Sequence, residues 1–255
     1  MVQPLRFSAN LGFLWTDRPL VARIHAARAA GFAAVECHWP FETPATEVKA
    51  ALSETGLPML ALNTQPGDLA AGDFGLCALI DRLPEARAAI EQAVDYAARI
   101  GAGAVHVMAG RNGDISCFLE ALEFACGRAA AKGVDILIEP LNTHDVPGYT
   151  LTTTEQAAAI IGRLERPNLR MMFDCYHVAR MEGDVLARFK AVQPLIGHLQ
   201  IAAVPDRGPP DHGTLDYQAL LADIAALGWH QPIGAEYRPD GATQAGLGWM
   251  QRLTG

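Results

Sequence analysis

Four oxygen-bearing side chains stand where short apolar runs stop. Glu139 follows residues 134–138, Asp174 follows residues 169–173, Gln200 lies near the end of residues 195–201, and Glu236 follows residues 232–235. One acidic residue at a strand end is ordinarily a helix cap or a salt-bridge partner. Four in successive units are hard to explain that way, because three carboxylates gathered together repel each other unless a cation relieves them. An all-oxygen donor set suits Mg2+ or Mn2+ better than zinc. The expected centre is therefore a divalent metal, Mg2+ or Mn2+, held by Glu139, Asp174, Gln200 and Glu236.

Such convergence requires a fold that brings strand ends together. The run 134–138 is β-branched and apolar, and Pro140 cannot extend a ladder, so Glu139 marks the carboxyl end of a buried parallel strand. Helix, glycine and strand then alternate along the chain. The strands are expected at 5–10, 32–37, 58–62, 104–108, 134–138, 169–173, 195–201 and 232–235. Helical periodicity fills the gaps, most clearly over 84–100 and 117–132, and a last helix is expected over 243–253. Eight strand-helix units in 255 residues predict one (β/α)8 TIM barrel spanning residues 1–255 as a single domain. A doubly wound open sheet is the alternative, but the turn after the first strand lacks the Gly-x-Gly-x-x-Gly spacing. In a barrel the carboxyl ends of the strands share one mouth. The glycine-rich stretch within 63–82 is too long for a tight connection, and long loops of this kind are often lids; Trp15, Trp39 and Phe74 could form such a lid or pack as satellite clusters.

Composition narrows the function. Net charge is −8 with a pI near 5.4, and no Lys/Arg-rich run is present, so no nucleic-acid partner is expected. The five cysteines, Cys37, Cys77, Cys117, Cys126 and Cys175, include no Cys-x-x-Cys pair and are odd in number, as reduced cytosolic thiols would be. No leader-like amino terminus and no long apolar window is seen, which predicts a cytoplasmic protein without a membrane partner. The sequence leaves a homo-oligomer open.

Several segments resemble those of the hydroxypyruvate isomerase family within the xylose-isomerase-like barrels. They are Ile138-Glu139-Pro140-Leu141-Asn142, Asp174-Cys175-Tyr176-His177 with Arg180-Met181-Glu182-Gly183, Gly197-His198-Leu199-Gln200-Ile201-Ala202, and Gly234-Ala235-Glu236-Tyr237. Residues 7–11, the loop 66–72 and Pro205-Asp206-Arg207-Gly208 extend the likeness over nearly the whole chain. The resemblance implies a metal on Glu139, Asp174, Gln200 and Glu236, and two catalytic glutamates, Glu139 and Glu236, that pass a proton between adjacent carbons of a small hydroxy-keto acid. The reaction would interconvert hydroxypyruvate and 2-hydroxy-3-oxopropanoate through an enediolate, which needs a base, an acid and an electrophile. His177, one helical turn beyond Asp174, would bond a substrate oxygen, and Arg207 would take the substrate carboxylate. The bland alternatives are a structural histidine and a solvated arginine paired with Asp206 or Asp211.

Glu36, His38, Asn10, Asn63 and His106 could line the same mouth, each an ordinary polar residue near a turn. His198 alternates with Gln200 and so points to the same side, near the metal or into a packed interior layer; His144 reads as loop. Residues 62–68, 105–110 and 247–249 resemble the 2-oxo-tetronate isomerases, so a four-carbon acid is the near alternative. A ketose 3-epimerase is disfavoured because those relatives usually place a histidine where Gln200 stands. A metal-dependent endonuclease of the same superfamily and a non-catalytic sugar-acid binder are the readings from other classes.

Overall fold

The computed structural model describes residues 5–254. Eight parallel strands close into a barrel in sequence order: β1 (Phe7–Asn10), β2 (Ala34–Cys37), β3 (Met59–Asn63), β4 (Ala104–His106), β5 (Asp135–Ile138), β6 (Leu169–Asp174), β7 (Ile196–Ile201) and β8 (Ile233–Ala235). β8 pairs with β1 to complete it, matching Ser8 with Gly234. The closed circuit rules out the open doubly wound sheet.

Among the described residues the surrounding layer is α1 (Leu20–Ala29), α2 (Ala45–Thr55), α3 (Leu83–Ile100), α4 (Ile115–Ala130), α5 (Thr154–Leu164), α6 (Cys175–Met181), α7 (Val185–Val192), α8 (Tyr217–Ala226) and α9 (Trp249–Thr254). Their buried apolar faces merge with the outward faces of the strands into one core. None is long and apolar enough to cross a membrane. All five cysteines are buried and unpaired.

Where the boundaries differ from expectation, local chemistry explains the shift. β4 stops at His106 because Met108 turns to the neighbouring loops: its N–H donates to Thr64 Oγ1 at 3.1 Å, and its carbonyl accepts from Cys77. α4 begins two residues early because the Asp114 carboxylate accepts the Ser116 and Cys117 N–H groups. α5 carries a complete capping box between Thr153 and Gln156. The single helix expected over 243–253 is broken into a 3-10 turn at Thr243–Gly246 and α9, with Gly246 and Gly248 at the break. Trp249 anchors the second piece, packed edge-on against Phe7 and Tyr237. The 63–82 loop contains two 3-10 turns, Leu69–Ala71 and Ile80–Arg82, and Gly75 bridges to Ala109.

Inside the barrel the side chains alternate, so one residue in two of each strand faces inward. Ala61, Ala104, Leu137 and Met172, from β3 to β6, form their own buried apolar cluster there. Two residues further on each of these strands lie Asn63, His106, Glu139 and Asp174, at the carboxyl-end mouth.

Candidate active site

A cavity of about 330 Å3 opens at that mouth, lined among others by His38, Trp39, Asn63, His106, Glu139, His177, Arg207 and Glu236. A larger groove of about 520 Å3 opens by Leu5, Ala30 and Met250 and contains none of the carboxylates. One ligand atom each from Glu139, Asp174, His177 and Glu236 lies within 4.8 Å of the others, and all four residues are buried. The fold thus gathers three of the four expected metal ligands and His177 at one point.

Each side chain is held by its own element. Asp174 ends β6 and starts α6: its Oδ1 accepts the Tyr176 N–H at 2.8 Å as the helix cap, while its Oδ2 is buried without a hydrogen-bond partner. Glu139 leaves β5 just before Pro140, and its Oε1 is likewise unpartnered. The Gln200 Nε2 donates to Glu36 Oε1 at 2.7 Å, leaving its buried Oε1 free. Three oxygens are therefore unsatisfied on Glu139, Asp174 and Gln200, a costly state that a bound cation would relieve. Hard oxygen donors of this kind fit Mg2+ or Mn2+. Glu236 is the fourth, with Oε1 accepting from Asn10 Nδ2 at 3.0 Å and lying 3.1 Å from His38 Nε2, and Oε2 lying 2.6 Å from Arg207 Nη2.

His177 differs in kind. Its Nδ1 accepts the Asn142 N–H at 3.0 Å, so the neutral ring carries its proton on Nε2. That nitrogen faces Glu139 Oε1 at 3.9 Å and Asp174 Oδ2 at 3.7 Å as a donor, not as a metal ligand. Burial, reinforced by the charge of Arg207, pushes this imidazole down to about 3, so it stays neutral.

The two glutamates occupy opposed electrostatic settings. Burial, then the charges of Glu236 and Asp174, raises the Glu139 carboxyl well above the usual range. Burial acts in the same direction on Glu236, but Arg207 and His38 outweigh it and hold that carboxyl well below the usual range. Asp174 is pushed up to about 7 by burial and by the nearby charge of Glu236.

Arg207 turns inward. It adopts a left-handed φ of 58°, stacks its guanidinium 5.1 Å from the Phe13 ring centroid and 5.3 Å from that of Tyr176, and pairs with Glu236. The two alternative partners are engaged elsewhere, Asp206 with His212 and Asp211 with Arg252. Strain of this kind at a functional cleft costs of order 1 kcal/mol and is offset by the ion pair it permits.

The residues that the sequence marked only as ordinary polar positions are also here. Asn10 and Glu36 sit in the floor, while His38, Asn63 and His106 line the cavity wall. His198 belongs to the interior layer, its Nε2 2.7 Å from Glu36 Oε2. Arg111 was not singled out by the sequence at all; it lines the cavity with its guanidinium 5.8 Å from the Phe74 ring centroid and with Nε buried and unpartnered. The two options left for the aromatics divide: Trp39 and Phe74 border the cavity, whereas Trp15 packs in the core against Phe32. His144 is an exposed loop residue.

Residues 24–253 match the model of the xylose isomerase-like TIM barrel family. A 2-oxo-tetronate isomerase from Cupriavidus necator is 44% identical over 98% of this chain and 99% of its own length. The hydroxypyruvate isomerase of Escherichia coli is 35% identical over 96% and 98%. A solved structure from Brucella melitensis, titled AP endonuclease, family 2, superposes with a TM-score of 0.93 at 34% identity, covering 98% of this chain and 99% of that one.

Proposed function

This chain belongs to the xylose isomerase-like TIM barrel family and is an isomerase, and we propose that it interconverts hydroxypyruvate and 2-hydroxy-3-oxopropanoate. The observation that carries the reading is the pair of buried glutamates pushed in opposite protonation directions, together with the unsatisfied oxygens of Glu139, Asp174 and Gln200. Two carboxyl groups separated in this way are what a proton relay requires. Glu236, kept ionised, removes a proton from C3 of hydroxypyruvate, giving an enediolate across C2 and C3. Glu139, favoured in its protonated form, delivers a proton to C2, transfer of the hydroxyl proton from O3 to O2 completes the aldehyde, and exchange with solvent removes the proton gained by Glu236 and replaces the one lost by Glu139. No electron leaves the molecule, so no redox cofactor is needed.

Glu139, Asp174, Gln200 and Glu236 would hold Mg2+ or Mn2+. When bound, the cation supplies Lewis-acid stabilisation of the charge that develops on the substrate oxygens. His177 donates from Nε2 to a substrate oxygen. Arg207 faces the substrate carboxylate while balancing Glu236, and Arg111 adds a second positive charge to the cavity. Trp39 and Phe74 shield the enediolate from water. In a metal-loaded sample, solvent deuterium should enter C3 of hydroxypyruvate; protein that binds the acid yet catalyses no exchange would refute the reading and leave a sugar-acid binder.

The 44% identity to the Cupriavidus relative favours a second reading, in which the same proton relay acts on a four-carbon 2-oxo acid. The ratio of kcat/KM for the two acids decides between them. A nuclease, as the Brucella protein is named, accords less well with a single metal-capable cluster among the described residues and a net charge of −8.

A further inference from the structure

Gln200 is the one expected metal ligand whose side chain has two unlike ends. Its Oε1 can coordinate a cation; its NH2 group cannot. If the amide turned over, a donor would take the place of the free Oε1 and the centre would lose a ligand. The side chain is buried, at 2% exposure, so water does not decide its orientation.

Glu36 does. It ends in the barrel interior from β2, across β1 and β8 from Gln200 on β7. Its Oε1 accepts from Gln200 Nε2 at 2.7 Å and from Asn10 Nδ2 at 3.1 Å, and its Oε2 lies 2.7 Å from His198 Nε2. All three partners are buried. A carboxylate is an acceptor at both oxygens, so a turned-over Gln200 would set oxygen against oxygen at 2.7 Å. The orientation of Gln200 is thus imposed rather than merely preferred.

Asn10 is locked by the same logic. Its Oδ1 accepts the Gly12 N–H at 2.9 Å, which leaves Nδ2 to bridge Glu36 Oε1 and Glu236 Oε1. A single buried carboxylate therefore communicates with two ligands of the centre, Gln200 directly and Glu236 through Asn10. Gly234 on β8 makes the room: a Cβ there would lie 2.7 Å from Gln200 Cγ and 2.7 Å from Glu36 Oε2.

Resting on the metal site proposed above, we infer that Glu36 is a positioning residue for the cation, tying down the Gln200 NH2 group so that its Oε1, beside Asp174 in the strand register, stays free to coordinate. Glu36 itself does not touch the metal or the substrate. Its removal takes effect through Gln200: in Glu36→Gln the new amide can donate, and Gln200 becomes free to turn its own NH2 toward the centre. Supporting groups of this kind typically contribute about 10–100-fold to metal affinity.

The test is Mn2+ titration of metal-stripped full-length protein by calorimetry, with thermal unfolding as the control for folding. Glu36→Gln should weaken Mn2+ binding about 10–100-fold. Combining Glu36→Gln with Gln200→Glu exchanges amide and carboxylate, restores a donor-acceptor pair and leaves one oxygen of residue 200 free for the cation; Mn2+ affinity should return to within a few-fold of wild type or exceed it. Unchanged affinity in Glu36→Gln, or a folded double variant that still binds weakly, overturns the inference. Should either variant fail to fold, a crystal structure of the wild-type protein with Mn2+ decides the matter, since Gln200 must coordinate through Oε1 and donate through Nε2 to Glu36. Wild-type protein that binds no Mn2+ is a different failure: it removes the metal from the proposed function and this inference with it.

Discussion

The barrel mouth has two walls, and each presents a glutamate to the same cavity. On the β3 to β6 wall, Glu139 stands above the apolar cluster of Ala61, Ala104, Leu137 and Met172. Its nearest basic groups are His106, 3.6 Å away, and His177, 3.9 Å away. Burial pushes His106 down to about 4, and His177 is held down in the same way, so neither supplies a charge. On the wall made by β7, β8, β1 and β2, the interior contains Ser8, Glu36, His198 and Gln200, and Glu236 above them is met by Asn10, His38 and Arg207. One wall is dry and favours the protonated form of its carboxyl; the other is a hydrogen-bonded network that favours the carboxylate. The residue type is the same, and the floor beneath it assigns the role.

Replacing either glutamate should have the largest effect and should reveal the asymmetry. At saturating Mn2+, Glu139→Gln and Glu236→Gln each lower kcat by about 10²–10⁴-fold. They should part on isotope exchange. Without Glu236 no deuterium enters C3 of hydroxypyruvate, whereas without Glu139 exchange at C3 persists and only delivery to C2 is lost. Equal loss of exchange in both variants would mean that the two walls share the roles.

The supports should matter less than the groups they support. Asn10→Ala removes the bridge between Glu36 and Glu236, and Mn2+ affinity should fall about 10–100-fold. Met172→Leu on the dry wall, a swap of nearly equal volume, should cost less than about 1.5 kcal/mol in chemical unfolding and leave Mn2+ affinity unchanged. A larger metal defect in Met172→Leu than in Asn10→Ala would erase the distinction between the walls.

The two walls were also unequally legible in the sequence. Glu139 and Asp174 could be found because an acidic residue at the end of an apolar run contradicts its surroundings, and Gln200 and Glu236 followed from their place in successive units. The alternation of strand and helix was enough for the barrel itself. Glu36 ends a strand in the same way, yet its meaning lies in partners 26, 162 and 164 residues distant, which no local pattern connects. Arg207 was visible as a cation in a loop, but its inward turn depends on a left-handed backbone at a non-glycine position. For Trp15 both options stayed open, because an aromatic residue beside a strand end packs equally well into a mouth or into a core. α6 begins directly after Asp174, so one residue both ends a strand and caps a helix, leaving no connecting segment to mark the change.

Metal binding should carry the signature of the dry wall in its pH dependence. Asp174, at about 7, must lose its proton to a cation, Glu139 can meet it through its free Oε1 with its proton retained, and Glu236 is already ionised. Affinity for Mn2+ should therefore rise with pH by up to about tenfold per unit below 7 and level off above it. Folding stability without metal is a poorer readout. Raised carboxyl pKa values make the folded state lose stability as pH climbs from the unfolded carboxylate range toward 7. The depressed values of His106 and His177 do the reverse, adding stability as pH rises from about 4 and about 3 to the ordinary 6.5. The two trends oppose each other, whereas the proton release on binding Mn2+ has one sign. A flat affinity between pH 5 and 7, roughly the span between an ordinary carboxylate and Asp174, would contradict the protonated state assigned to this wall.

The smallest effects concern how tightly the polar wall is packed, and two glycines measure it against each other. Gly234 on β8 has Gln200 Cγ and both Glu36 oxygens within 2.8 Å of where a Cβ would lie. Gly162, on the exposed side of α5, has nothing within 4 Å. Gly162→Ala should stabilise the protein by about 0.5–1 kcal/mol, because a helix interior gains from the lost backbone freedom of glycine. Gly234→Ala should instead cost about 1–3 kcal/mol as an overpacked site, and because the atoms it displaces orient Gln200, Mn2+ affinity should fall with it. Urea unfolding of both variants and Mn2+ titration of both give the comparison. If Gly234→Ala proved as harmless as Gly162→Ala, the network would have room to rearrange, and a carboxylate with that freedom could not dictate which end of an amide faces the metal.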